Sequence, residues 1–384
     1  MQHSNEKKTK LFKSVFNRLY RLLEKRYWFW EQGKATRTIL KKLFSIRLVQ
    51  YLLLCLFILF LFPFSIFFLL RPTTPEVFNY GTTFSHKYAT ALGLDWQETY
   101  LAILDDLGVK NLRLTVYWDE TEPERDHYDF SIVKWQLGEA AKRNIPVILI
   151  TGRKVVRYPE CFEPPWWEAI ADESERDNEL YEFVQESVAQ LVDYDNIVMW
   201  QVENEPFFPF GDCAGEIKTG VLQKEIELVR TLDDRPILVQ DSGEGGYWLP
   251  SYLQGDYLAI SMYRRIWYDF WGVFFGKFIY FQYPLSHWTY RIKAGLLLIP
   301  PDRILVTELQ AEPWGPAINS ELSRQEKDKT MSKTQFIDTI NYAQKAGFKD
   351  LYFWGAEWWY LEQTQLNEPF YWDTAKALFR TESE

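Results

Sequence analysis

The sequence predicts a (β/α)8 TIM barrel, an eight-stranded parallel barrel surrounded by helices, preceded by one N-terminal transmembrane helix. Three observations predict this fold class. Eight short apolar segments, many of them β-branched, follow residue 77, and amphipathic segments separate them. Such alternation is typical of a parallel sheet covered by helices, and eight units in about 300 residues match a barrel. The third observation is a run of 23 uncharged residues at 48–70, which is long enough to span a bilayer.

The apolar segments define eight candidate strands: 78–84, 109–118, 145–152, 196–205, 235–241, 256–263, 302–308 and 349–355. The segments between them have helical spacing, as in 178–192, where five apolar side chains fall on one face. The segment 334–347 ends at Gly347, a residue typical of a helix C-terminus. An open doubly wound sheet is the alternative, but no Gly-rich phosphate loop follows the first strand.

Charge divides the chain into a basic tail (1–47), the apolar span (48–70), a short linker (71–77) and the barrel domain (78–384). The tail has 13 Lys/Arg and 3 Asp/Glu, whereas the remaining 337 residues have 30 and 50. The positive-inside rule therefore predicts a single-pass protein with a cytoplasmic N-terminus and an extracytoplasmic barrel. A cleaved signal peptide fits less well, because 47 residues precede the apolar run and no small-residue cleavage site follows it.

Composition also limits the ligands. The acidic domain argues against nucleic acid and polyanionic glycans as partners, because it would repel them. The four histidines are scattered, and no Cys/His cluster has zinc spacing, so neither a metal site nor a cofactor is indicated. Cys161 and Cys213 fall in two loops predicted at one end of the barrel, where an oxidising compartment would allow a disulfide. The sequence leaves that pairing and the oligomeric state open.

Polar residues collect at the C-terminal ends of the candidate strands, where active sites of this fold lie. They are Arg113 on the second strand, Asn204 and Glu205 on the fourth, Asp241 on the fifth, Tyr263 on the sixth, Glu308 on the seventh and Trp354 on the eighth. Glycoside cleavage needs two carboxyl groups that flank one bond, one protonated and one ionised. Since the fourth and seventh strands lie across the mouth of such a barrel, Glu205 and Glu308 can face one another over a sugar.

The stretch VMWQVENEPF (198–207) resembles the signature of the cellulase family, glycoside hydrolase family 5. Asn-Glu on strand four with Glu on strand seven is similar to the pattern of the wider clan A of retaining glycosidases. The resemblance implies that Glu205 is the general acid/base and Glu308 the nucleophile. It further implies that Asn204 binds the sugar 2-hydroxyl, that Arg113 and Tyr263 orient Glu308, and that Trp354 is a sugar platform.

The sequence departs from family 5 at two places. That family usually has a histidine at the end of strand three and another two residues before the strand-six tyrosine, whereas this chain has TGRK (151–154) and Ser261. These departures predict a divergent clan A member. The electrostatic roles stand without the family, because a guanidinium near Glu308 favours its ionised form, and burial beside Glu308 favours a protonated Glu205.

The predicted activity is retaining hydrolysis of β-linked oligo- or polysaccharides, with transglycosylation at the same site as an alternative. A carbohydrate-binding pseudoenzyme and an anchored envelope scaffold are the alternatives without turnover. Glu203 is predicted to support the site rather than react, and Asp241 is left between substrate contact and loop capping. The aromatic loop 266–283 is interpreted as a lid, a membrane-touching helix or a dimer contact. Tryptophans of the predicted loops, Trp314 among them, are further candidates for sugar stacking.

Overall fold

The protein is described by a computed structural model that covers residue 42 and the ranges 50–59, 74–213, 217–268 and 279–381. The chain divides into two units, 1–69 and 70–384. In the first unit, 50–59 is helical, within the predicted span 48–70. The rest of that span, and the tail apart from residue 42, lies outside the described residues. Within the ranges given above, no helix is both long enough and apolar enough to cross a bilayer.

The second unit contains a closed barrel of eight parallel strands, which confirms the predicted barrel. The strands, in chain order, are β1 (Asn79–Thr83), β2 (Leu112–Thr115), β3 (Val147–Thr151), β4 (Ile197–Val202), β5 (Ile237–Asp241), β6 (Tyr257–Met262), β9 (Ile304–Gln310) and β10 (Asp350–Trp354). Around the barrel they follow the order β1, β10, β9, β6, β5, β4, β3, β2. The fourth and seventh barrel strands, β4 and β9, are therefore separated by β5 and β6.

Helices connect the strands and cover the barrel. They are α1 (His86–Ala91), α2 (Trp96–Ala102), α3 (Trp118–Thr121), α4 (Ser131–Ala141), α5 (Pro165–Glu168), α6 (Glu173–Leu191), α7 (Thr219–Leu232), α8 (Leu249–Tyr252), α9 (Trp288–Leu296), α10 (Arg324–Met331), α11 (Lys333–Ala346), α12 (Ala356–Thr364) and α13 (Phe370–Thr381). A π-helical turn, Ile103–Leu107, follows α2, and a 3-10 turn, Pro301–Arg303, precedes β9.

Local signals in the sequence explain where these helices begin and end. Helix α6 begins after Asp172, whose side chain accepts a hydrogen bond from the backbone of Glu175. Helix α11 begins with a reciprocal capping box between Ser332 and Gln335. It ends at Gly347, whose φ of 80° is the left-handed conformation that favours glycine. The predicted helix end at Gly347 is confirmed.

The barrel interior changes character along its axis. Toward the strand starts it contains an apolar cluster: Ile148, Leu238, Ala259, Leu305 and Tyr352. Side chains two positions further along a strand point to the same face. Met199 in β4 is partly buried and packs against this cluster. Two positions beyond Met199, Leu238 and Ala259 lie buried polar residues: Gln201 in β4, Gln240 in β5 and Ser261 in β6. The interior is therefore polar toward the strand ends, where the candidate site lies.

The aromatic loop 266–283 is partly described, as an antiparallel hairpin. Strand β7 (Arg265–Tyr268) pairs with β8 (Ile279–Gln282). The side-chain oxygen of Gln310, at the end of β9, accepts hydrogen bonds from the backbone of Arg264 and Arg265, at 2.8 and 3.0 Å. The described ends of this loop are thus strands, so the helical interpretation is wrong for them. The tip, 269–278, lies outside the described residues.

The disulfide that the sequence left open joins Cys161 to Cys213, with their Cα atoms 5.1 Å apart. It connects the loop that follows β3 to the loop that follows β4. In the first loop, a backbone bridge between Lys154 and Cys161 closes a compact turn, and the disulfide attaches this turn to Cys213. This turn lies next to the candidate site, because Lys154 also contacts the residues after β4.

Replacing both Cys161 and Cys213 by serine is expected to lower the free energy of unfolding by about 4 kcal/mol. The cysteines lie 52 residues apart, and opening a loop of that length restores chain entropy to the unfolded state. Urea unfolding of the full chain in detergent measures the change. Cys55→Ser, at a free and exposed cysteine, is the matched control. Equal stability of the double variant and the wild type would contradict this prediction.

Candidate active site

A β-bulge in β9 directs Glu308 into the barrel. The pairing of β9 with β6 shifts by one position just before Ser261, which pairs with Glu308. Strict alternation would send Thr307 and Glu308 to opposite faces, but a bulge re-aims a side chain. Thr307 Oγ1 donates to Gln240 Oε1 at 2.9 Å, and Gln240 Nε2 donates to Glu308 Oε1 at 2.6 Å. The consecutive side chains of Thr307 and Glu308 therefore both hydrogen-bond to the side-chain amide of Gln240 inside the barrel.

Three donors surround the Glu308 carboxyl. Besides Gln240, Arg113 Nη1 donates to Glu308 Oε1 at 3.3 Å, and the Tyr263 hydroxyl donates to Oε2 at 3.1 Å. Arg113 is fully buried, and Glu308 is 4% exposed. Charge-assisted hydrogen bonds of this kind orient a carboxylate and favour its negative charge. The structure thus brings together Arg113, Tyr263 and Glu308, three of the residues that the sequence singled out.

Arg113 also connects Glu308 to the motif after β4. Its Nη2 donates to Asn204 Oδ1 at 2.8 Å and to Gln240, and its Nε donates to Gln201 Oε1 at 2.8 Å. Asn204 is fully buried, and its Nδ2 has no hydrogen-bond partner in the part of the chain that the structure describes. Asn204 therefore keeps one donor available beside the guanidinium of Arg113.

Glu205 lies just beyond the end of β4, in a bent backbone. The strand ends at Val202, and Glu205 has a φ of 46°, in the left-handed region that non-glycine residues seldom adopt. Lys154 Nζ holds this turn by donating to the carbonyl oxygens of Glu205 and Phe208, at 3.0 and 2.8 Å. The Ser261 hydroxyl donates to Glu205 Oε1 at 2.9 Å. Because Ser261 pairs with Glu308, it links the two candidate carboxyls.

The environment of Glu205 favours a bound proton. The side chain is 6% exposed. Burial raises the pKa of Glu205 well above its ordinary value, and the negative charges of Glu308 and Glu160 raise it further. The positive charge of Lys154 and the hydrogen bond from Ser261 lower the pKa of Glu205. The geometry therefore gives one carboxyl surrounded by donors and one carboxyl in a desolvated position, which is the asymmetry that acid/base chemistry needs.

Glu203 has a different set of contacts from Glu205. It is fully buried, and its two carboxyl oxygens accept hydrogen bonds from the backbone N–H groups of Arg153 and Lys154, at 2.8 and 2.6 Å. Its φ is 62°, so extended geometry does not persist beyond Val202. Glu203 fastens the loop after β3 to the end of β4, in agreement with the supporting role predicted from the sequence.

Asp241 and Trp354 are not part of the carboxyl network. Asp241 accepts hydrogen bonds from the backbone of Ser242 and Trp248, at 2.8 and 2.7 Å, so it caps its own loop. Trp354 ends β10 and is 6% exposed, and the guanidinium of Arg157 lies 4.2 Å from the centroid of its ring. A sugar that stacks on Trp354 must therefore share the ring with Arg157, which the sequence gave no reason to expect.

Among the loop tryptophans, Trp314 lies closest to the network. Its ring centroid is 5.1 Å from that of Tyr263, in an edge-on arrangement, and 5.7 Å from that of Phe210. Four others are buried in the core and serve packing: Trp118, Trp167, Trp358 and Trp359. Trp314 is thus the loop tryptophan with a direct contact to a partner of Glu308.

Several site residues were not predicted. Gln201 and Gln240 join Arg113 to its partners, and the inward alternation of β4 and β5 would have identified them. Ser261 stands at one of the two places where family 5 usually has a histidine, and Lys154 lies in TGRK (151–154), the stretch at the other place. They contact the side chain and the backbone of Glu205, respectively.

Comparisons with known proteins agree with this fold. No protein-family model and no curated protein matches the chain. Xylanase 10B from Thermotoga petrophila RKU-1, solved with xylobiose, shares 15% identity over 83% of this chain and 97% of its own, with a TM-score of 0.53. A β-galactosidase from the haloarchaeon Halorubrum lacusprofundi shares 13% identity over 79% and 58%, with a TM-score of 0.50. A GH5_18 variant from Streptomyces cattleya, solved with Manb1-4GlcNAc, shares 16% identity over 80% and 81%, with a TM-score of 0.49.

The chain is therefore similar to glycoside hydrolases in its fold. At these identities the similarity concerns the barrel alone. The barrel fold that the resemblance to clan A glycosidases implied is confirmed.

The buried carboxyls predict that the fold is more stable in mild acid than at neutral pH. Burial raises the pKa of Glu160 to about 8, and the pKa values of Glu163, Glu244 and Glu312 to about 7. In the unfolded chain these groups lose their protons near pH 4.5, whereas in the folded chain they keep them to higher pH. Stability is therefore greatest at low pH within this window and is lost as the pH rises from about 4.5 to 8.

Thermal melts between pH 5 and pH 8 measure this effect, and we expect the melting temperature to fall across the range. Glu163→Gln removes one of the titrating groups, so its melting temperature should fall less steeply with pH. Exposed Glu227→Gln is the control and should keep the wild-type slope. A wild-type melting temperature that rises toward pH 8 would contradict the prediction.

Proposed function

We propose that this protein is a membrane-anchored retaining β-glycosidase that hydrolyses β-linked oligo- or polysaccharides. One observation carries the proposal: Glu308 is surrounded by three donors, while Glu205, whose Oε1 accepts a hydrogen bond from Ser261, the strand partner of Glu308, lies in a desolvated turn that favours a proton. Two carboxyls in these two environments match the requirements of double displacement. The reaction needs no cofactor, because the carboxyls supply both the nucleophile and the proton.

The first step forms a covalent intermediate. A Glu308 oxygen attacks the anomeric carbon, the glycosidic C–O bond breaks, and Glu205 transfers its proton to the departing oxygen. Arg113, Gln240 and Tyr263 hold the Glu308 carboxyl in place through hydrogen bonds to its two oxygens. The charge of Glu308 is consumed in the new ester bond. Glu205 has now lost its proton, and the esterified Glu308 beside it no longer carries a negative charge.

In the second step Glu205 acts as a base. It removes a proton from water, the water oxygen attacks the anomeric carbon, and the ester bond to Glu308 breaks. The anomeric configuration is retained after two displacements. The unpartnered Nδ2 of Asn204 supports a further role, because it can donate to the sugar 2-hydroxyl, where hydrogen bonds strengthen in the transition state.

Neutral glycans are the substrate class that the charges favour. The chain beyond residue 47 has 50 acidic and 30 basic residues, so an anionic polysaccharide would meet repulsion. Xylobiose, in the xylanase structure, is a ligand of this neutral kind. A sugar hydroxyl that replaces water in the second step would give transglycosylation at the same site.

The experiment is an activity screen of the barrel unit, residues 70–384, against aryl β-glycosides and β-linked polysaccharides. Product anomers are followed by NMR, and we expect the β-anomer to appear first. Appearance of the α-anomer first would contradict retention. Longer products would indicate transglycosylation, and binding without any turnover would indicate a carbohydrate-binding protein.

The anchor and topology form a separate proposal, supported by the uncharged run 48–70 and the basic tail before it. A protease added outside intact cells should remove the barrel and leave the tail protected. Protection of 78–384 under these conditions would overturn the proposed orientation.

A further inference from the structure

A second group of charged and aromatic side chains lies at the same end of the barrel as the carboxyl pair. We call it the Arg157 cluster, and it consists of Tyr88, Arg157, Glu312, Trp354 and Glu357. Each member lies at or beyond the C-terminal end of a barrel strand: Tyr88 after β1, Arg157 after β3, Glu312 after β9, and Trp354 and Glu357 at the end of β10. Glu312 is only four residues beyond Glu308 on the same strand exit, so the cluster adjoins the candidate site.

Arg157 is the centre of this cluster. Its guanidinium carbon lies 3.9 Å from the centroid of the Tyr88 ring and 4.2 Å from that of Trp354. Its Nη1 forms an ion pair with Glu312, and its Nη2 lies 2.9 Å from Glu357 Oε2. A planar guanidinium suits such a position, because it stacks on aromatic rings while its edges donate hydrogen bonds.

The hydrogen bonding of the cluster is incomplete at two atoms. Glu357 uses both oxygens, since its Oε1 accepts a hydrogen bond from the backbone of Ser85 at 2.7 Å. In contrast, Arg157 Nε and Glu312 Oε2 have no hydrogen-bond partner of full geometry among the residues that the structure describes. The Tyr88 hydroxyl approaches Glu312 as a donor and lowers the pKa of that carboxyl, but this approach falls short of full hydrogen-bond geometry. Buried polar groups are normally paired, so an unpaired donor and acceptor in one cluster indicate a ligand.

The burial of the cluster matches that of the carboxyl pair. Arg157 and Glu312 are 5% and 7% exposed, compared with 6% and 4% for Glu205 and Glu308. Both groups are therefore buried to a similar extent at the same end of the barrel.

We propose that Arg157 and Glu312 form a specificity subsite that binds two adjacent hydroxyls of one sugar unit, with Trp354 as its apolar wall; this rests on the proposed glycosidase function. One hydroxyl accepts a hydrogen bond from Arg157 Nε–H, and its neighbour donates one to Glu312 Oε2. Charged partners make such hydrogen bonds short and directional, so the subsite selects the configuration of the diol. Two carboxyls and one guanidinium leave no net positive charge, so an acidic sugar is disfavoured.

The test measures binding, so that it does not depend on turnover. The full chain in detergent carries Glu205→Gln to prevent cleavage, and calorimetry is run with cello-, manno- and xylo-oligosaccharides. Glu312→Gln and Arg157→Lys, each added to that background, are expected to weaken binding of the best oligosaccharide by roughly 10- to 100-fold. Arg303→Gln is the matched control, because Arg303 also stacks on an aromatic ring, that of Tyr257 at 4.8 Å, but precedes β9 at the other end of the barrel. It should leave the Kd unchanged.

Monodeoxy analogues of the same oligosaccharide identify the two hydroxyls. In the Glu205→Gln chain, two adjacent deoxy positions should each weaken binding by about tenfold, because a hydrogen bond to a charged group is lost. One of these analogues lacks the hydroxyl that Glu312 binds. Adding Glu312→Gln to the Glu205→Gln chain should weaken the binding of that analogue only slightly further. This pairwise non-additivity is not expected from a purely structural role of Glu312.

The outcomes separate the two proposals. If the wild type cleaves a glycan but neither cluster substitution nor any deoxy analogue changes the Kd, the subsite is overturned and the glycosidase proposal stands. If no glycan is bound or cleaved, both are overturned. If the two variants fail to fold, the deoxy series still decides, because it requires no change in the cluster.

Discussion

Glu308→Gln is expected to abolish turnover, with a loss on the order of 10⁴-fold or more in kcat on an aryl β-glycoside. The amide cannot form the ester that the first displacement requires. Its partners remain available, since Arg113 Nη1, Gln240 Nε2 and the Tyr263 hydroxyl all donate to this side chain. The fold should therefore survive, and circular dichroism with a thermal melt checks that it does. Activity is measured under pseudo-first-order conditions with an activated leaving group.

Glu205→Gln is expected to give a different kinetic pattern at the same site. An activated aryl leaving group needs little protonation, so formation of the intermediate should continue, while its hydrolysis loses the base. General acid/base catalysis contributes about 10²- to 10⁴-fold, so the loss in kcat should fall in that range. The intermediate should accumulate and be visible by mass spectrometry of the intact protein. Azide should restore turnover in Glu205→Gln by attacking the intermediate without a base, and it should give a glycosyl azide of retained configuration.

Glu203→Gln is the contrasting variant within the same motif. Its oxygens accept hydrogen bonds from the backbone of Arg153 and Lys154, and the buried carboxyl of Glu225 lies close enough to affect its pKa. We expect a lower melting temperature and a kcat within about tenfold of the wild type, because stability rather than chemistry is affected.

Turnover by Glu308→Gln comparable to that of the wild type would overturn the assignment of the nucleophile. Loss of the azide effect in Glu205→Gln would overturn the assignment of the base.

The fold was predictable because its pattern is repeated eight times. An apolar strand followed by an amphipathic helix is a weak signal when it occurs once, but the barrel strands β1–β6 and β10 fall within the candidate segments, and β9 extends only two residues beyond its segment. The first hairpin strand, β7, was missed for the opposite reason. It occurs once, in an aromatic segment whose spacing does not distinguish a helix from a strand.

The candidate site was predictable where residue type and strand position agreed. Arg113, Glu205 and Glu308 are charged residues in or just after candidate strands. The structure pairs Arg113 with Glu308 and places Ser261, the strand partner of Glu308, against Glu205. Gln201 and Gln240 lie within strands and carry no charge, so they were missed. The alternation of each strand could still have identified them, because two positions earlier lie Met199, which packs against the interior cluster, and Leu238, which belongs to it.

Other features depend on tertiary packing and could not be predicted. The bulge that turns Glu308 inward arises from the pairing of β9 with β6, and no residue in ILVTELQ signals it. The stacking of Arg157 on Trp354 brings together residues 197 positions apart in the sequence, across β3 and β10. Asp241 shows the converse: it is a carboxylate at a strand end, but its contacts are those of a loop cap.

Arg113→Met is the second substitution with a large expected effect, and it should lower both stability and activity. Arg113 is fully buried and donates to four side chains besides Thr83: Gln201, Asn204, Gln240 and Glu308. Its removal leaves the Glu308 carboxylate buried without its counter-ion, and breaking a buried pair in this way costs about 3–5 kcal/mol. Urea unfolding of residues 70–384 measures the loss. Arg143→Gln, which removes ion pairs with Asp105 and Glu139 at the surface, should change the unfolding midpoint much less.

A double-mutant cycle separates the charge of Arg113 from its packing. In the Glu308→Gln background the buried carboxylate is already neutral, so Arg113→Met no longer exposes an unpaired anion. It should therefore cost less than in the wild type, by about 1–3 kcal/mol of interaction energy. Equal costs in the two backgrounds would mean that Arg113 stabilises the barrel through Asn204 and the two glutamines alone. In that case the 3.3 Å contact would add nothing to the stability of the fold, and the proposed nucleophile would be held by Gln240 and Tyr263 instead.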